Sequence, residues 1–310
     1  MLELDQLSKR YGDTVALDRL SFSVRPGQMY GFVGTNGAGK TTAMRIILGV
    51  LEPDSGTVRW RGRPIDADLR REFGYMPEER GLYPKMRVLD QLVYLARLRG
   101  VHPGEAATAA RELLGTLGLV GKLTDRVEEL SLGNQQRVQL AAALVHDPAV
   151  MVLDEPFSGL DPVGVDAMAE VLRARVDEGV AVVFSSHQLD LVERLCDAVG
   201  IIRNGRMVAD GTVDELRGNT GRRHYRLHLE TTDGWLDQVV AAVPGATVID
   251  GGATGGPALI ELPAEADDQV LLAVATRLGR VRQFGVAEPS LVELFREVVT
   301  NGGTDTEAAA

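Results

Sequence analysis

The chain has 310 residues, 45% of them apolar and 25% charged, and its 33 basic and 44 acidic side chains give a formal net charge of -11. This length suits about two soluble domains. A net acidic chain is a poor candidate for binding the phosphate backbone of a nucleic acid. The single cysteine, Cys196, excludes an internal disulfide and a cysteine-based metal cluster. Because no apolar run approaches a membrane span and residues 1–5 lack a signal-peptide pattern, we expect a cytoplasmic protein.

The N-terminal residues predict strands that lead into a phosphate-binding arrangement. Alternating apolar residues, with turn signals at residues 12–13 and 26–27, indicate short antiparallel strands. Residues 29–33 predict a buried strand, and residues 41–50 predict a partly buried helix after an intervening glycine-rich loop. A strand, a glycine-rich loop and a helix in this order are typical of a phosphate site.

The middle of the chain predicts a helical lobe followed by parallel strands. Residues 89–121 have a helical pattern of apolar residues. Residues 150–153 and 180–184 are continuous apolar runs separated by helix-like sequence over residues 167–176, as expected for strands buried on both faces. Asn204-Gly205 between two apolar pairs predicts a two-residue hairpin.

A polar, glycine-rich stretch over residues 211–221 predicts a domain boundary near Thr220, and a new pattern follows it. The successive elements are a strand with Tyr225, Leu227 and Leu229, a helix over 235–243, strands over 246–249 and 258–262, a helix over 270–278 and a strand over 281–286. The order βαββαβ is the ferredoxin-like arrangement. We interpret the glycines of 251–256 as a loop rather than a second nucleotide site.

The predicted domains are therefore residues 1–220, with a helical lobe at about 82–145, and residues 221–300, which end in a further helix over 291–299. Residues 301–310 are predicted to be a disordered tail.

Residues 34–41, with the sequence GTNGAGKT, match the phosphate-loop pattern. Glycines allow backbone amides to curl around phosphates, Lys40 would neutralise the β and γ oxygens, and the Thr41 hydroxyl would hold Mg²⁺. A chance glycine-rich loop is the alternative, but lysine is rare in this chain and a buried strand precedes the motif. The predicted nucleotide-binding residues of this segment are Gly34, Asn36, Gly37, Ala38, Gly39, Lys40, Thr41 and Thr42.

Two carboxylates, Asp154 and Glu155, directly follow the predicted strand over residues 150–153. Ligands of open α/β sheets bind at the carboxyl ends of the strands. Asp154 suits a water-mediated Mg²⁺ contact, and Glu155 suits the general base that orients an attacking water. An isolated Asp-Glu pair would normally be a solvated loop, but the upstream phosphate loop favours the catalytic interpretation.

With five further segments, these residues resemble the nucleotide-binding subunits of ATP-binding cassette (ABC) transporters. Each segment alone has an ordinary structural explanation, such as a helix cap or a packed aromatic, but their joint order makes the resemblance specific. The five segments are Tyr11, Glu78 within FGYMPE (73–78), LSLGNQQR (130–137), SGLD (158–161) and His187.

The resemblance covers about residues 2–218 and implies an α/β fold, a P-loop NTPase core of the ABC type with an antiparallel β lobe and a helical lobe. It implies ATP and Mg²⁺ as ligands, with Tyr11 stacked on adenine and His187 at the γ-phosphate. It also implies metal contacts by Thr41, Glu78 and Asp154, and contacts across a cassette dimer by Ser131, Gly133, Asn134 and Asp161.

Two motifs depart from the usual family pattern. Glu78 stands where the family usually has glutamine, and an ionised glutamate cannot donate a hydrogen bond. Leu132 and Asn134 replace the commoner glycine and glutamine of the signature. These departures, with the stretch over 77–84, resemble a subgroup of ABC-2 type exporters whose ATPase carries an extra C-terminal domain.

In the family each ATP lies between the phosphate loop of one cassette and the signature of another, which implies a second nucleotide-binding subunit as a homodimer or heterodimer partner. The family also implies a separate membrane-spanning permease. A short helix of that permease contacts a groove that here includes Glu78, Leu82, Tyr83 and Met86. We therefore expect the chain at the cytoplasmic face of the membrane. A buried position for the Tyr83 ring under the helical lobe is the alternative.

Our substrate hypothesis is export of drugs or antibiotics, with sodium or lipid export as rivals. A soluble ABC ATPase acting on ribosomes or DNA is the alternative function, which the single cassette and the absence of a long heptad insertion disfavour. A non-catalytic nucleotide-gated module is disfavoured by Glu155 and His187. For the C-terminal domain we favour dimer support or regulation over a small-ligand sensor.

Overall fold

The computed structural model describes residues 1–79, 81–218, 222–230, 234–251, 256–287, 290–293 and 295. The chain forms two compact units, Met1–Gly211 and Thr212–Ala310. The predicted boundary at Thr220 and the predicted tail over 301–310 lie outside the described residues.

The first unit contains the following strands and helices in chain order, with short 3-10 turns at Leu69–Glu72, Val120–Lys122 and Val127–Glu129. They are β1 (Leu2–Tyr11), β2 (Thr14–Val24), β3 (Met29–Gly34), α1 (Lys40–Ile47), β4 (Ser55–Trp60), β5 (Arg63–Pro64), β6 (Phe73–Met76), α2 (Val88–Leu98), α3 (Pro103–Thr116), α4 (Leu132–Leu144), β7 (Val150–Leu153), α5 (Pro162–Asp177), β8 (Ala181–Ser186), α6 (Leu189–Leu195), β9 (Ala198–Arg203) and β10 (Arg206–Gly211).

The centre of this unit is a six-stranded sheet with the order β10-β9-β3-β8-β7-β6. All its pairs are parallel except that of β9 with β10. Every residue of β3, β7 and β8 is buried, which is why these strands appear in the sequence as unbroken apolar runs. Parallel strands place their carboxyl ends at one edge, so the segments after β3, β7 and β8 meet there.

A second sheet, with the order β2-β1-β4-β5, is antiparallel throughout. Its apolar face shares one core with the central sheet, and Phe22 stacks on Tyr30 of β3 with ring centroids 5.0 Å apart. The predicted P-loop core with an antiparallel β lobe is confirmed.

The helical lobe contains α2, α3 and α4, whose buried faces include Leu92, Leu114 and Leu140. The helical pattern predicted over 89–121 corresponds to two helices, α2 and α3, with a break between them. Gly100 adopts a φ of 94° there, and Pro103 occupies the first turn of α3, where its missing N–H costs nothing.

The predicted Asn204-Gly205 hairpin is confirmed between β9 and β10. Both residues have positive φ angles, 49° and 77°, as this type of tight turn requires.

The second unit contains α7 (Val213–Gly218), β11 (Arg222–Glu230), α8 (Trp235–Ala242), β12 (Thr247–Gly251), β13 (Ala258–Pro263), α9 (Asp268–Leu278) and β14 (Arg280–Val286). After α7 the elements follow the predicted order βαββαβ, and the antiparallel sheet has the order β12-β13-β11-β14. Alternate residues of β11, among them Leu227 and Leu229, pack with Val239 and Leu271 of the two helices. This is the predicted ferredoxin-like arrangement.

Of the predicted helix over 291–299, residues 291–293 and 295 are helical and the others lie outside the described residues, as do glycines 252 and 255 of the glycine-rich loop. Across the described ranges, no helix has the length and apolarity that crossing a membrane would require.

Candidate functional site

The phosphate loop connects β3 to α1 and depends on glycine at particular positions. Gly37 and Gly39 have φ angles of 79° and 111°, which L side chains rarely adopt. A Cβ on Gly39 would also lie 2.4 Å from the carbonyl oxygen of Ala16 in β2. The motif glycines therefore set the path of the loop.

Lys40 begins α1 and is only 8% exposed. Its Nζ donates to the carbonyl oxygens of Gly34 at 2.7 Å and Thr35 at 3.3 Å. The ammonium therefore lies inside the curve of the loop, beside the helix N-terminus, where an anion is favoured.

The Asn204-Gly205 turn contacts the other side of this loop. The Gly205 N–H donates to the Ala38 carbonyl, and the Gly205 carbonyl accepts from the Asp18 N–H, each at 2.9 Å. The backbone of the loop is thus bonded to the hairpin, and the hairpin is bonded in turn to β2.

A cavity of about 690 Å³ opens above the phosphate loop and brings most of the predicted site residues together. It is lined by Thr14, Val15, Ala16, Thr35, Asn36, Gly37, Gly39, Lys40, Thr41, Thr42, Glu78, Asp154, Glu155 and His187. Residues 14–16, the start of β2, were missed by the sequence interpretation, because the exposed beginning of a strand carries no motif of its own. Gly34 and Ala38 contribute through backbone bonds instead.

The two acidic residues after β7 are buried, and one hydroxyl bonds to the side chain of the first and the backbone of the second. The Ser185 hydroxyl donates to Asp154 Oδ1 at 2.6 Å and accepts from the Glu155 N–H at 2.9 Å. Ser185 was also missed by sequence interpretation. The available signal was the position of Ser185 directly after the apolar run of residues 180–184, since a hydroxyl at the end of a buried strand needs a partner.

Glu155 adopts a φ of 49°, a conformation that a residue other than glycine keeps only when its surroundings hold it. Its Oε2 lies 3.0 Å from Nδ1 of His187. Burial raises the pKa of Glu155, and the hydrogen bond from His187 partly offsets that rise. A raised pKa makes the Glu155 carboxylate a stronger base and therefore a better proton acceptor near neutral pH.

Thr41, Glu78 and Asp154 supply hydroxyl and carboxylate oxygens to the same cavity. Hard oxygen donors of this kind, few in number and beside a phosphate site, fit the preferences of Mg²⁺. The donor chemistry therefore agrees with the predicted metal.

The other predicted contacts lie elsewhere on the described surface and do not line this cavity. Tyr11 is half exposed at the end of β1, where it pairs with Thr14 of the neighbouring strand β2. Ser131 is the N-cap of α4 and accepts from the Asn134 N–H at 3.4 Å. Asp161 is the N-cap of α5. Gly133 belongs to the first turn of α4, so the signature residues form one separate group.

Comparison with known proteins gives matches along nearly the whole chain. A family model described as "ABC transporter" matches residues 17–158, and one described as "ATP-binding protein DrrA1-3-like, C-terminal domain" matches residues 211–299. The ABC transporter ATP-binding protein YhaQ of Bacillus subtilis is 38% identical over 96% of this chain and 98% of its own length.

Two further matches each cover about 71% of this chain. The linearmycin resistance ATP-binding protein LnrL of Bacillus subtilis is 34% identical over 71% of this chain and 72% of its own. A solved structure of an ATP-binding subunit of an ABC transporter is 33% identical, with a TM-score of 0.67 over 71% of this chain and 93% of its own.

Proposed function

Because this chain belongs to the ATP-binding subunits of ABC transporters, we propose that it energises export of drugs or antibiotics through a separate membrane subunit. It is an ATPase of the ABC type. The observation that carries the site assignment is the single cavity, which collects Lys40, Asp154, Glu155 and His187 around one space.

In the proposed mechanism the phosphate loop binds the triphosphate. Its backbone amides and the N-terminus of α1 face the phosphates, and the Lys40 ammonium moves from its loop carbonyls to the β and γ oxygens. When bound, Mg²⁺ neutralises charge on these oxygens, and Thr41, Glu78 and Asp154 would hold it.

Glu155 then accepts a proton from the attacking water. Its raised pKa, its fixed backbone and the neighbouring His187 suit this role. His187 orients the Glu155 carboxylate and, being 58% exposed in its side chain, can also reach the γ-phosphate. Ser185 keeps Asp154 and Glu155 in fixed relative positions.

The exposed residues at the starts of α4 and α5 support a site shared between two subunits. Ser131 and Asp161 are exposed, and each side chain caps its own helix rather than lining the cavity. In a dimer of cassettes these residues would complete the partner's ATP site, while Tyr11 would stack on adenine. The partner is a second copy or a related nucleotide-binding subunit.

An exposed aromatic pair supports contact with a permease and a peripheral location at the cytoplasmic face of the membrane. Tyr83 is 51% exposed, and its ring packs edge-to-face on Tyr94 with centroids 6.1 Å apart. A buried position for Tyr83 is therefore wrong. We expect Tyr83→Ala to weaken co-purification with the membrane subunit and to leave ATP affinity unchanged; undiminished co-purification would contradict this assignment.

The proposed substrate class is supported by LnrL, which is named for resistance to linearmycin. Drugs and antibiotics are therefore the substrates to test first in a transport assay with the co-expressed permease.

The central test is steady-state ATP hydrolysis by wild type and Glu155→Gln over a protein concentration series with Mg²⁺. We expect activity that rises more than linearly with concentration, and a loss of at least about 100-fold in the variant, since the proton acceptor is removed. Binding of labelled ATP by the variant is the control. Full activity in Glu155→Gln would exclude Glu155 as the base.

A further inference from the structure

Helix α4, which begins at the signature, carries two glutamines that are almost fully buried. Gln136 and Gln139 are 4% and 3% exposed. Their spacing of three residues places them on the same side of the helix. The Gln136 amide donates to the carbonyl oxygen of Pro156 at 2.8 Å, and the Gln139 amide donates to that of Pro77 at 2.5 Å.

Each accepting carbonyl lies next to a carboxylate of the cavity. Pro156 follows Glu155, and Pro77 precedes Glu78. The two loops are also joined to each other, because the Asp154 N–H donates to the Met76 carbonyl at 2.8 Å. One helix therefore holds the backbone of both carboxylate-bearing loops.

The hold on Glu155 acts from both sides. Ser185 accepts from its N–H, and the Gln136 amide also lies 3.5 Å from its carbonyl oxygen. Glu155 has the strained left-handed backbone described above, which requires such restraint. Loss of either bond would let the backbone relax and move the carboxylate.

A third buried glutamine in the same lobe provides an internal comparison. Gln91 of α2 is 0% exposed, yet neither its side-chain nitrogen nor its oxygen has a hydrogen-bond partner within the described residues. A glutamine side chain that is buried in this lobe thus does not necessarily form a hydrogen bond with a loop. The bonds of Gln136 and Gln139 are specific to the two loops that end at the cavity.

We propose that Gln136 and Gln139 are positioning residues of the ATPase site, which fix the loops carrying Glu155 and Glu78 to helix α4. The proposal rests on the function proposed above for these two carboxylates. Because α4 starts at Ser131, a contact made by the signature is transmitted along one rigid helix to both loops. The geometry of the catalytic carboxylate then depends on where α4 lies.

The test compares Gln136→Leu and Gln139→Leu with the control Gln91→Leu. For Gln136→Leu we expect kcat to fall about 10- to 100-fold, because small displacements of a catalytic group have effects of this size. For Gln139→Leu we expect a fall of about 10-fold, and in both the Kd for ATP should stay within about threefold of wild type. Gln91→Leu should keep the wild-type kcat.

Hydrogen–deuterium exchange supplies a second readout that does not depend on activity. We expect faster exchange at residues 155–160 in Gln136→Leu and at residues 76–79 in Gln139→Leu, with little change elsewhere. If a leucine variant fails to fold, the corresponding methionine variant, which also lacks a donor, is measured in its place.

A wild-type kcat in both glutamine variants would overturn the proposal. Faster hydrogen–deuterium exchange across the whole unit would also overturn it, because it would show that the glutamines only contribute to packing. If Glu155→Gln is inactive, either of these results would overturn the positioning role alone and leave the proposed function intact. Full activity of Glu155→Gln, in contrast, would overturn the proposed function itself.

Discussion

The residues at the ends of the central strands and those at the starts of α4 and α5 are organised in opposite ways. Asp154 and Glu155 are buried and bonded to the same Ser185 hydroxyl. Ser131 and Asp161 are exposed and cap their own helices. The first group is pre-organised within one chain, whereas the second is arranged as a surface that another molecule can contact. The predictions below test this difference.

The largest expected effect concerns the sharing of sites between subunits. Lys40→Ala and Ser131→Arg should each lower ATP hydrolysis at least about 100-fold, since each removes one half of every site. Mixing the two variants should restore about a quarter of wild-type activity if chains pair at random in a two-fold dimer, because mixed dimers hold one intact site. Steady-state hydrolysis of the mixture measures this.

The control for this experiment is a mixture of Lys40→Ala with Thr41→Ala. Both changes fall in the phosphate loop, so no pairing of the two chains produces an intact site. Restored activity in the control, or none in the first mixture, would show that the signature does not act on the partner's nucleotide.

A smaller loss should follow when the bridging hydroxyl is removed. Ser185→Ala should lower kcat about 10-fold or more by freeing Asp154 and Glu155, while the Kd for ATP changes little. The matched control is Ser21→Ala, which removes a hydroxyl that accepts two bonds from Gln6 in the β lobe. Equal kcat values for the two variants would contradict pre-organisation by Ser185.

The smallest expected effect concerns the turn behind the phosphate loop. In Gly205→Ala the new Cβ would lie 2.8 Å from the Ala16 carbonyl oxygen, so we expect lower thermal stability and a KM for ATP raised about threefold as the loop shifts. Gly62 has a similar φ of 76° but open space around it, and Gly62→Ala should cost only about 1–2 kcal/mol of backbone strain. Equal KM values for ATP in the two variants would show that the turn at Gly205 does not support the phosphate loop.

Much of the fold was predictable because burial leaves a direct pattern in the sequence. β3, β7 and β8 are buried on both faces and appear as apolar runs, whereas β11 alternates because its inner residues contact helices. The helical lobe was predicted from apolar residues on both sides of Gly100, but that pattern alone does not locate the break between α2 and α3. The role of Ser185 was missed because it depends on the hydrogen bonds that its hydroxyl makes with residues of another strand end, Asp154 and Glu155.

Residue patterns were enough to predict an ABC-type ATPase, since the phosphate loop, Asp154-Glu155 and the ordered family segments are short local patterns with specific physical requirements. Tertiary structure alone decided how these groups are held. Gln139 and Pro77 are 62 positions apart, and Ser185 and Asp154 are 31 apart. Bonds of this range follow from strand order and helix packing, which residue patterns along the chain do not encode.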